Sequence, residues 1–267
     1  MTRQVKVLVL TGYGLNCDME TAHAFEMAGA VADRVHINTL ISGDVKLSAY
    51  QILVFGGGFS WGDDHGAGVV QAVRIMTGLG DAIRDFIAGG RLVMGICNGF
   101  QTLVNTGLLP GFDENYTQRE VALLHNDCGN FRDQWVDLCV NSHSPCVFTE
   151  GMDSLPLPVR HGEGKFYAAS AVIEKLENSG QVVLRYARPD GKPAEGVFPM
   201  NPNGSINDIA GICDASGRVF GLMPHPEAFT HLTHHPDWTR MKAEERAFFD
   251  DLTPGLRIFQ NAVRHFR

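Results

Sequence analysis

Residues 92–107, LVMGICNGFQTLVNTG, set a cysteine between two glycines at the point where one structural period gives way to another. Leu92 to Ile96 is a short unbroken apolar run, the pattern of a strand buried on both faces. Beyond it Phe100, Leu103 and Val104 recur at helical spacing. Gly95-Ile96-Cys97-Asn98-Gly99 follows the G-x-S-x-G elbow with sulfur in place of oxygen. A strand that turns so sharply into a helix holds its corner residue in a strained backbone conformation. Neighbouring side chains would clash there, so glycine stands on both sides. The corner side chain is pushed out at the carboxyl edge of the sheet, where open α/β folds bind ligands. The amino end of the following helix points at the sulfur and favours the thiolate. The backbone N–H of Asn98 is then placed to stabilise an oxyanion. Taken alone, the string equally describes a buried structural cysteine before a glycine-rich turn.

The flanking sequence repeats the theme. VKVLVL at 5–10 closes in TGYG, and QILVF at 51–55 closes in GGG. CDMETAHAFEMAGA reads as a helix with Asp18 as cap and Gly29 as stop. VVQAVRIMTGLGDAIRDFIAGG reads as a helix with a glycine interruption. Short apolar runs alternating with helices predict βαβ units and an open, mostly parallel twisted sheet with helices on both faces. From about residue 134 to 223 the segments WVDLCV, LPVRHGEGKFYA, QVVLRYA and DIAGICDASGRVFGLM predict antiparallel strands that extend the same sheet. DASG (214–217) is the hairpin turn. Residues 239–266 read as helical, split by Pro254. No repeat or linker forces a boundary, so residues 1–267 are expected to form a single domain.

A chain of 267 residues with 44% hydrophobic and 19% charged residues is an ordinary globular protein with ample core. A net charge of −8, with no long Lys/Arg block, argues against a nucleic-acid partner. No run approaches the ~18 apolar residues of a membrane helix, so no membrane association is expected. The start runs directly into a strand-like segment without a signal-peptide cleavage pattern, which gives the cytoplasm as the expected location. The six cysteines show neither CxxC pairs nor framework spacing. They are expected to be reduced, and mostly small buried hydrophobes.

A thiolate nucleophile needs a base, and the base an orienting group. VFGLMPHPEAF (219–229) supplies both at another strand end. In an extended segment His225 and Glu227 project to the same side, so Glu227 can hold one ring nitrogen while the other faces Cys97. Alone, His-Pro-Glu is a surface turn; with a cysteine elbow in the same sheet the functional reading prevails. VFGGGFSWGD (54–63) offers exposed N–H groups, and Gly58 is the expected second oxyanion donor. It has no Lys-Ser/Thr, so it is not a P-loop. TGYGLNC is half a dinucleotide fingerprint, with Cys17 in place of the third glycine.

Together these segments resemble class I, triad-type glutamine amidotransferases, which implies the flavodoxin-like amidotransferase fold. LNCD, GGFSWGD, GICNGFQTLVNTGLLPG, RHGEGKFY, NPNGSINDIAGICD and GLMPHPE are similar, with gaps from about residue 5 to 230, to the glutaminase subunits of phosphoribosylformylglycinamidine synthase. The resemblance implies that Cys97 attacks the glutamine side-chain amide and that Gly58 and Asn98 N–H groups hold the oxyanion. His225, oriented by Glu227, protonates leaving ammonia, and a γ-glutamyl thioester is hydrolysed. Gln101 helps to hold glutamine. Ammonia then passes to an ATP-dependent synthetase that aminates formylglycinamide ribonucleotide. No cofactor or metal is implied for this chain. ATP and Mg are expected on the synthetase, a separate subunit, with a small accessory subunit as a further candidate partner.

The chain departs from that pattern at Cys128, where relatives often carry Ser, and at Gln134, where they often carry Arg. HLTHHPDWTR (231–240) is longer than expected. His231, His234 and His235 read as a solvated or partner-facing loop rather than a metal site. His161 and Glu163 form either a second acid–base pair or, more simply, a loop packed near the active site. Arg119-Glu120 and KAEER read as exposed faces. Two other functions keep some of these features: a triad glutaminase for another acceptor or a γ-glutamyl hydrolase, and a non-catalytic flavodoxin-like stress or binding protein with a reactive elbow cysteine. The last would not need His225 and Glu227.

Overall fold

The computed structural model describes residues 4–243 and 253–267. The chain opens with β1 (Lys6–Thr11), α1 (Asp18–Met27), β2 (Val31–His36), α2 (Ile37–Ile41) and β3 (Ile52–Phe55). Next come α3 (Val69–Ala88), β4 (Leu92–Ile96), α4 (Asn98–Thr106), β5 (Val121–His125), β6 (Arg132–Val140), β7 (Ser154–His161) and β8 (Glu163–Ala168). The chain ends with α5 (Ser170–Asn178), β9 (Val182–Ala187), β10 (Ile209–Cys213), β11 (Val219–Leu222) and α6 (Pro254–Arg264).

One nine-stranded sheet runs β2-β1-β3-β4-β11-β10-β9-β6-β7, and β5 pairs with β8 in a separate two-stranded sheet. The five strands from β2 to β11 are mutually parallel; β10, β9, β6 and β7 continue the sheet with antiparallel pairings. β3 and β4 are buried at every position, as expected of parallel strands covered on both faces. Each fully buried Leu, Ile, Val or Phe there contributes roughly 1.5–3 kcal/mol relative to exposure. The register sets the site: Leu222 lies opposite Ile96 and Phe55 opposite Gly95. The carboxyl ends of β3, β4 and β11 therefore stand side by side, and residues 58, 97 and 225 follow directly from them.

Several local expectations are corrected. The helix over 69–88 is continuous: Gly78 and Gly80 lie inside it, and a Cβ at Gly78 would come 3.1 Å from the Ile41 side chain, so the glycine lets α2 pack closely. LPVRHGEGKFYA is not one extension of the main sheet. Pro156 and Pro158 leave gaps in the donor row of β7, the strand stays at the sheet edge, and the chain turns at Gly162 so that β8 pairs with β5. Asp18 begins α1 without a capping side-chain bond, and Cys17 holds the N-cap position. Pro254 starts α6, with the Thr253 hydroxyl accepting from Leu256 N–H. Residues 239–241 are turn and bend. The helical expectation over 244–252, and most of KAEER, lie outside the described residues. All six cysteines are free thiols; Cys97, Cys146 and Cys213 are buried, whereas Cys17, Cys128 and Cys139 are only half-buried. No described helix is long and apolar enough to cross a membrane.

Candidate active site

Cys97 occupies the corner between β4 and α4 with φ 51° and ψ −106°, a conformation that costs a non-glycine residue on the order of 1–3 kcal/mol. The flanking glycines have a steric cause. A Cβ at Gly95 would lie 2.6 Å from Leu103 Cδ1, and one at Gly99 would lie 1.9 Å from the Phe55 carbonyl oxygen. Cys97 N–H donates to Leu222 O at 2.8 Å, locking the corner to β11. The thiol is 5% exposed and reaches the Arg160 carbonyl at 3.7 Å.

The segment after β11 brings His225 to the same rim, where its backbone N–H donates to Pro158 O at 2.8 Å. His225 Nδ1 and Glu227 Oε1 are 2.6 Å apart, both side chains almost wholly buried. The pairing does not come from an extended segment: Pro226–Ala228 is a 3-10 turn, which curls the carboxylate back onto the ring. Burial opposes the charged imidazole, but the Glu227 carboxylate, and after it the neighbouring Cys97 and Cys17 sulfurs, outweigh it. The His225 pKa stands well above the ordinary histidine value. His225 Nε2 is buried without a hydrogen-bond partner. The sulfur at 97 and the imidazole at 225 line one small cavity together with Gly58 and Cys17.

A larger cavity of about 360 Å³ opens on the other side of Cys97, walled by Gly58, Gln101, Asp63, Arg160 and Glu163. Its volume falls in the range of small-molecule sites. Gly58 thus lines both cavities, with its backbone pinned by a bridge to Leu15. Asn98 opens α4, so its N–H has no acceptor inside the helix. Its side chain is buried and structural: Oδ1 accepts from Ser60 N–H at 3.3 Å, and Nδ2 donates to Asp63 Oδ1 at 2.9 Å and Gln101 Oε1 at 3.1 Å. Gln101 in turn donates to the Glu163 carbonyl, tying α4 to the cavity wall.

Asp63 and Arg160 lie in strings that drew notice in the sequence, yet nothing in the pattern singled them out. Asp63 sits at φ 56° in a loop of successive left-handed residues. Burial first, and then Glu163, push its pKa up to about 6 against the opposing Asn98 hydrogen bond. His161 and Glu163 do not pair. His161 Nδ1 lies 3.1 Å from Asn126 Oδ1; burial, then the proximity of His225, lower its pKa to about 3, so the ring is neutral. Glu163 accepts from Ala67 N–H at 3.3 Å and lies 3.6 Å from His125. A Cβ at Gly164 would come 2.3 Å from the His161 ring, which explains the second glycine of HGEG.

Neither of the two departures from the resembling chains lines the cavity. Cys128 faces the carbonyls of Asn130 and Pro202, and Gln134 bridges Arg132 to the Pro199 carbonyl. In 231–240, His231 bonds Thr233, and His235 packs at a tilt against Trp135 with centroids 4.7 Å apart, so this end of the segment packs onto the protein rather than lying wholly in solvent.

This arrangement, a thiol at a strained elbow beside a carboxylate-oriented histidine, is one that nucleophilic catalysis uses. The sequence matches the CobB/CobQ-like glutamine amidotransferase domain family over residues 4–266, and the chain belongs to that family. Within that class it is 45% identical over 266 residues to the phosphoribosylformylglycinamidine synthase subunit PurQ of Methanococcus maripaludis, covering 98% of this chain and 97% of the relative. It is 46% identical over 264 residues to the same subunit of Dehalococcoides mccartyi, covering 99% and 98%. The fold superimposes on a chain in the structure of PurLQS from Thermotoga maritima with TM-score 0.72 and 30% identity, over 99% of this chain and 100% of that one.

Proposed function

We infer that the chain is the glutaminase subunit of a phosphoribosylformylglycinamidine synthase, with residues 1–267 acting as one amidotransferase domain in the cytoplasm. The observation that carries this reading is the meeting of Cys97 with the His225–Glu227 pair at the adjoining ends of β4 and β11. Cys97 thiolate attacks the glutamine side-chain carbonyl. The N–H groups of Gly58 and Asn98 hold the oxyanion. His225 gives its proton to the departing amine, ammonia leaves, and a γ-glutamyl thioester remains; a water that loses its proton to His225 then releases glutamate. Gln101 braces the wall that receives glutamine. The chain needs no cofactor of its own. Ammonia is useful only if it reaches an acceptor before protonation. The partner is therefore a separate synthetase carrying ATP and Mg, with a small accessory subunit. Exposed Phe59 and Phe131, with ring centroids 6.3 Å apart at the cavity mouth, offer that partner an apolar contact.

The test is reconstitution. Glutamine, ATP and formylglycinamide ribonucleotide are expected to give the amidine only when a formylglycinamide ribonucleotide synthetase is added, and that synthetase is expected to accelerate glutamate release. Full-rate hydrolysis of γ-glutamyl compounds by the lone chain, with no amidine in the mixture, would assign it to another acceptor or to hydrolysis alone.

The larger cavity fits the zwitterionic end of glutamine, with Arg160 available to the carboxylate and Asp63 and Glu163 to the ammonium. Because the Asp63 pKa is about 6, KM for glutamine is expected to rise as pH falls through 6. Asp63→Asn is expected to flatten that rise and to increase KM above it by about 10–100-fold, the worth of one charged hydrogen bond. For stability the sign runs the other way. The folded state favours the protonated carboxyl, a contribution present below the unfolded value of about 3.9 and lost as pH rises through 6. Steady-state kinetics and thermal melts across that range check both.

A further inference from the structure

The glutaminase reading leaves two things at the site without a use. One is Cys17, whose sulfur sits at the N-cap of α1 without making a capping bond. The other is Glu227 Oε2, which is buried and has no hydrogen-bond partner. They belong to one cluster. The Cys17 sulfur, a nitrogen of His225 and a carboxylate oxygen of Glu227 all lie within 4.8 Å of one another. The loop that carries Cys17 is fixed in place: Cys17 N–H donates to Gly57 O at 3.3 Å, and Leu15 bridges Gly58. Cys17 is half-buried and lines the small cavity of about 170 Å³ that also contains His225 and Cys97, so the cluster opens to solvent on its Cys17 side.

We propose that Cys17, His225 and Glu227 form an inhibitory site for a thiophilic divalent cation of the zinc type. One sulfur, one imidazole nitrogen and one carboxylate oxygen make a three-ligand set that suits zinc and leaves a fourth position open. The sulfur disfavours magnesium and calcium, which take all-oxygen shells. The 4.8 Å span is wider than bound zinc requires. Closure needs about an ångström of movement, which the half-exposed Cys17 side chain can supply by rotation about χ1. Binding releases the Cys17 thiol proton, together with the proton His225 carries when charged, so affinity increases with pH. The bound cation takes the imidazole that the reaction uses as acid and base and puts a positive charge beside Cys97. Glutamine turnover stops without any change to the fold. Removal of the cation restores it.

The test uses the full chain with cobalt as a spectroscopic probe and zinc as inhibitor. Wild-type protein is expected to show thiolate-to-cobalt charge-transfer absorption at one equivalent. Glutaminase activity should be lost in step with added zinc and recovered with a chelator. Cys17→Ser should fold, because serine is itself a good N-cap, and Cys17→Ala serves as a second variant. Zinc inhibition of each is read against that variant's own metal-free activity, because Cys17 lies beside His225 in the small cavity. Both should lose the cobalt band, and their half-inhibiting zinc concentration should rise beyond the roughly 10–100-fold that outer-shell changes cost. The proposal is overturned if wild-type protein gives no thiolate–cobalt band, or if either variant keeps the wild-type zinc sensitivity. It is equally overturned if His234→Ala, in the neighbouring histidine segment, abolishes the effect instead. The inhibition arm rests on the glutaminase reading and the cobalt spectrum does not, so the two failures are distinguishable.

Discussion

Cys97→Ala is expected to lower kcat/KM for glutamine by at least about 10⁴-fold, the usual consequence of deleting a nucleophile. Water attack aided by Gly58 and Asn98 is then the only route left, and Cys17 is not placed to substitute because it does not line the glutamine pocket. The fold should survive. The thiol makes one long contact, at 3.7 Å to the Arg160 carbonyl, and alanine inherits the same strained φ, so stability should change by no more than about 1 kcal/mol. A reconstituted complex carrying Cys97→Ala is therefore expected to assemble and to aminate its acceptor from added ammonium salt at the wild-type rate while ignoring glutamine. Loss of the ammonium-dependent reaction as well would mean that residue 97 supports assembly rather than chemistry.

The second large effect belongs to the His225–Glu227 unit. His225→Ala removes the acid and base of both half-reactions and is expected to cost about 10³–10⁴-fold. Glu227→Gln keeps the shape but removes the charge that outweighs burial of the imidazole. With that charge gone, the largest opposition to burial is lost and the His225 pKa falls, so the ring holds its proton for the departing amine less firmly. The expected loss is about 10²–10³-fold, with a basic limb of kcat/KM that moves to lower pH, because the protonated ring is lost sooner. The two residues act as one group, so the double variant should be no worse than His225→Ala. Additive losses, or an unmoved pH profile in Glu227→Gln, would show that the carboxylate orients nothing. Steady-state rates of glutamate release over a pH series supply all of these numbers.

The parts of this site that were legible in the sequence are those with local causes. The elbow at 95–99 shows itself because two backbone approaches, at Leu103 and Phe55, exclude any side chain. The parallel half of the sheet shows itself because strands buried on both faces cannot alternate. His225 and Glu227 were found by a partly mistaken route: they pair through a 3-10 turn, not along an extended segment, and the i,i+2 spacing suits either. What remained hidden is non-local. Asp63 acquires its chemistry from a left-handed loop and from Asn98, 35 residues away. Arg160 reaches the cavity only because β7 ends beside the elbow. Cys17 is brought to His225 by a bridge between two glycine-rich loops whose pairing no local pattern records. β8 leaves the main sheet through the pairing preference of β5, which no pattern within 155–168 records.

The chemistry rests on a covalent bond to one sulfur. Acid quenching of turnover with isotopically labelled glutamine, followed by peptide mass analysis, is expected to find a γ-glutamyl group on the peptide containing Cys97. That adduct should build up when the synthetase is present and should be absent from Cys97→Ala. Label on the Cys17 peptide, or glutamate formed at full rate with no label on any cysteine, would contradict it.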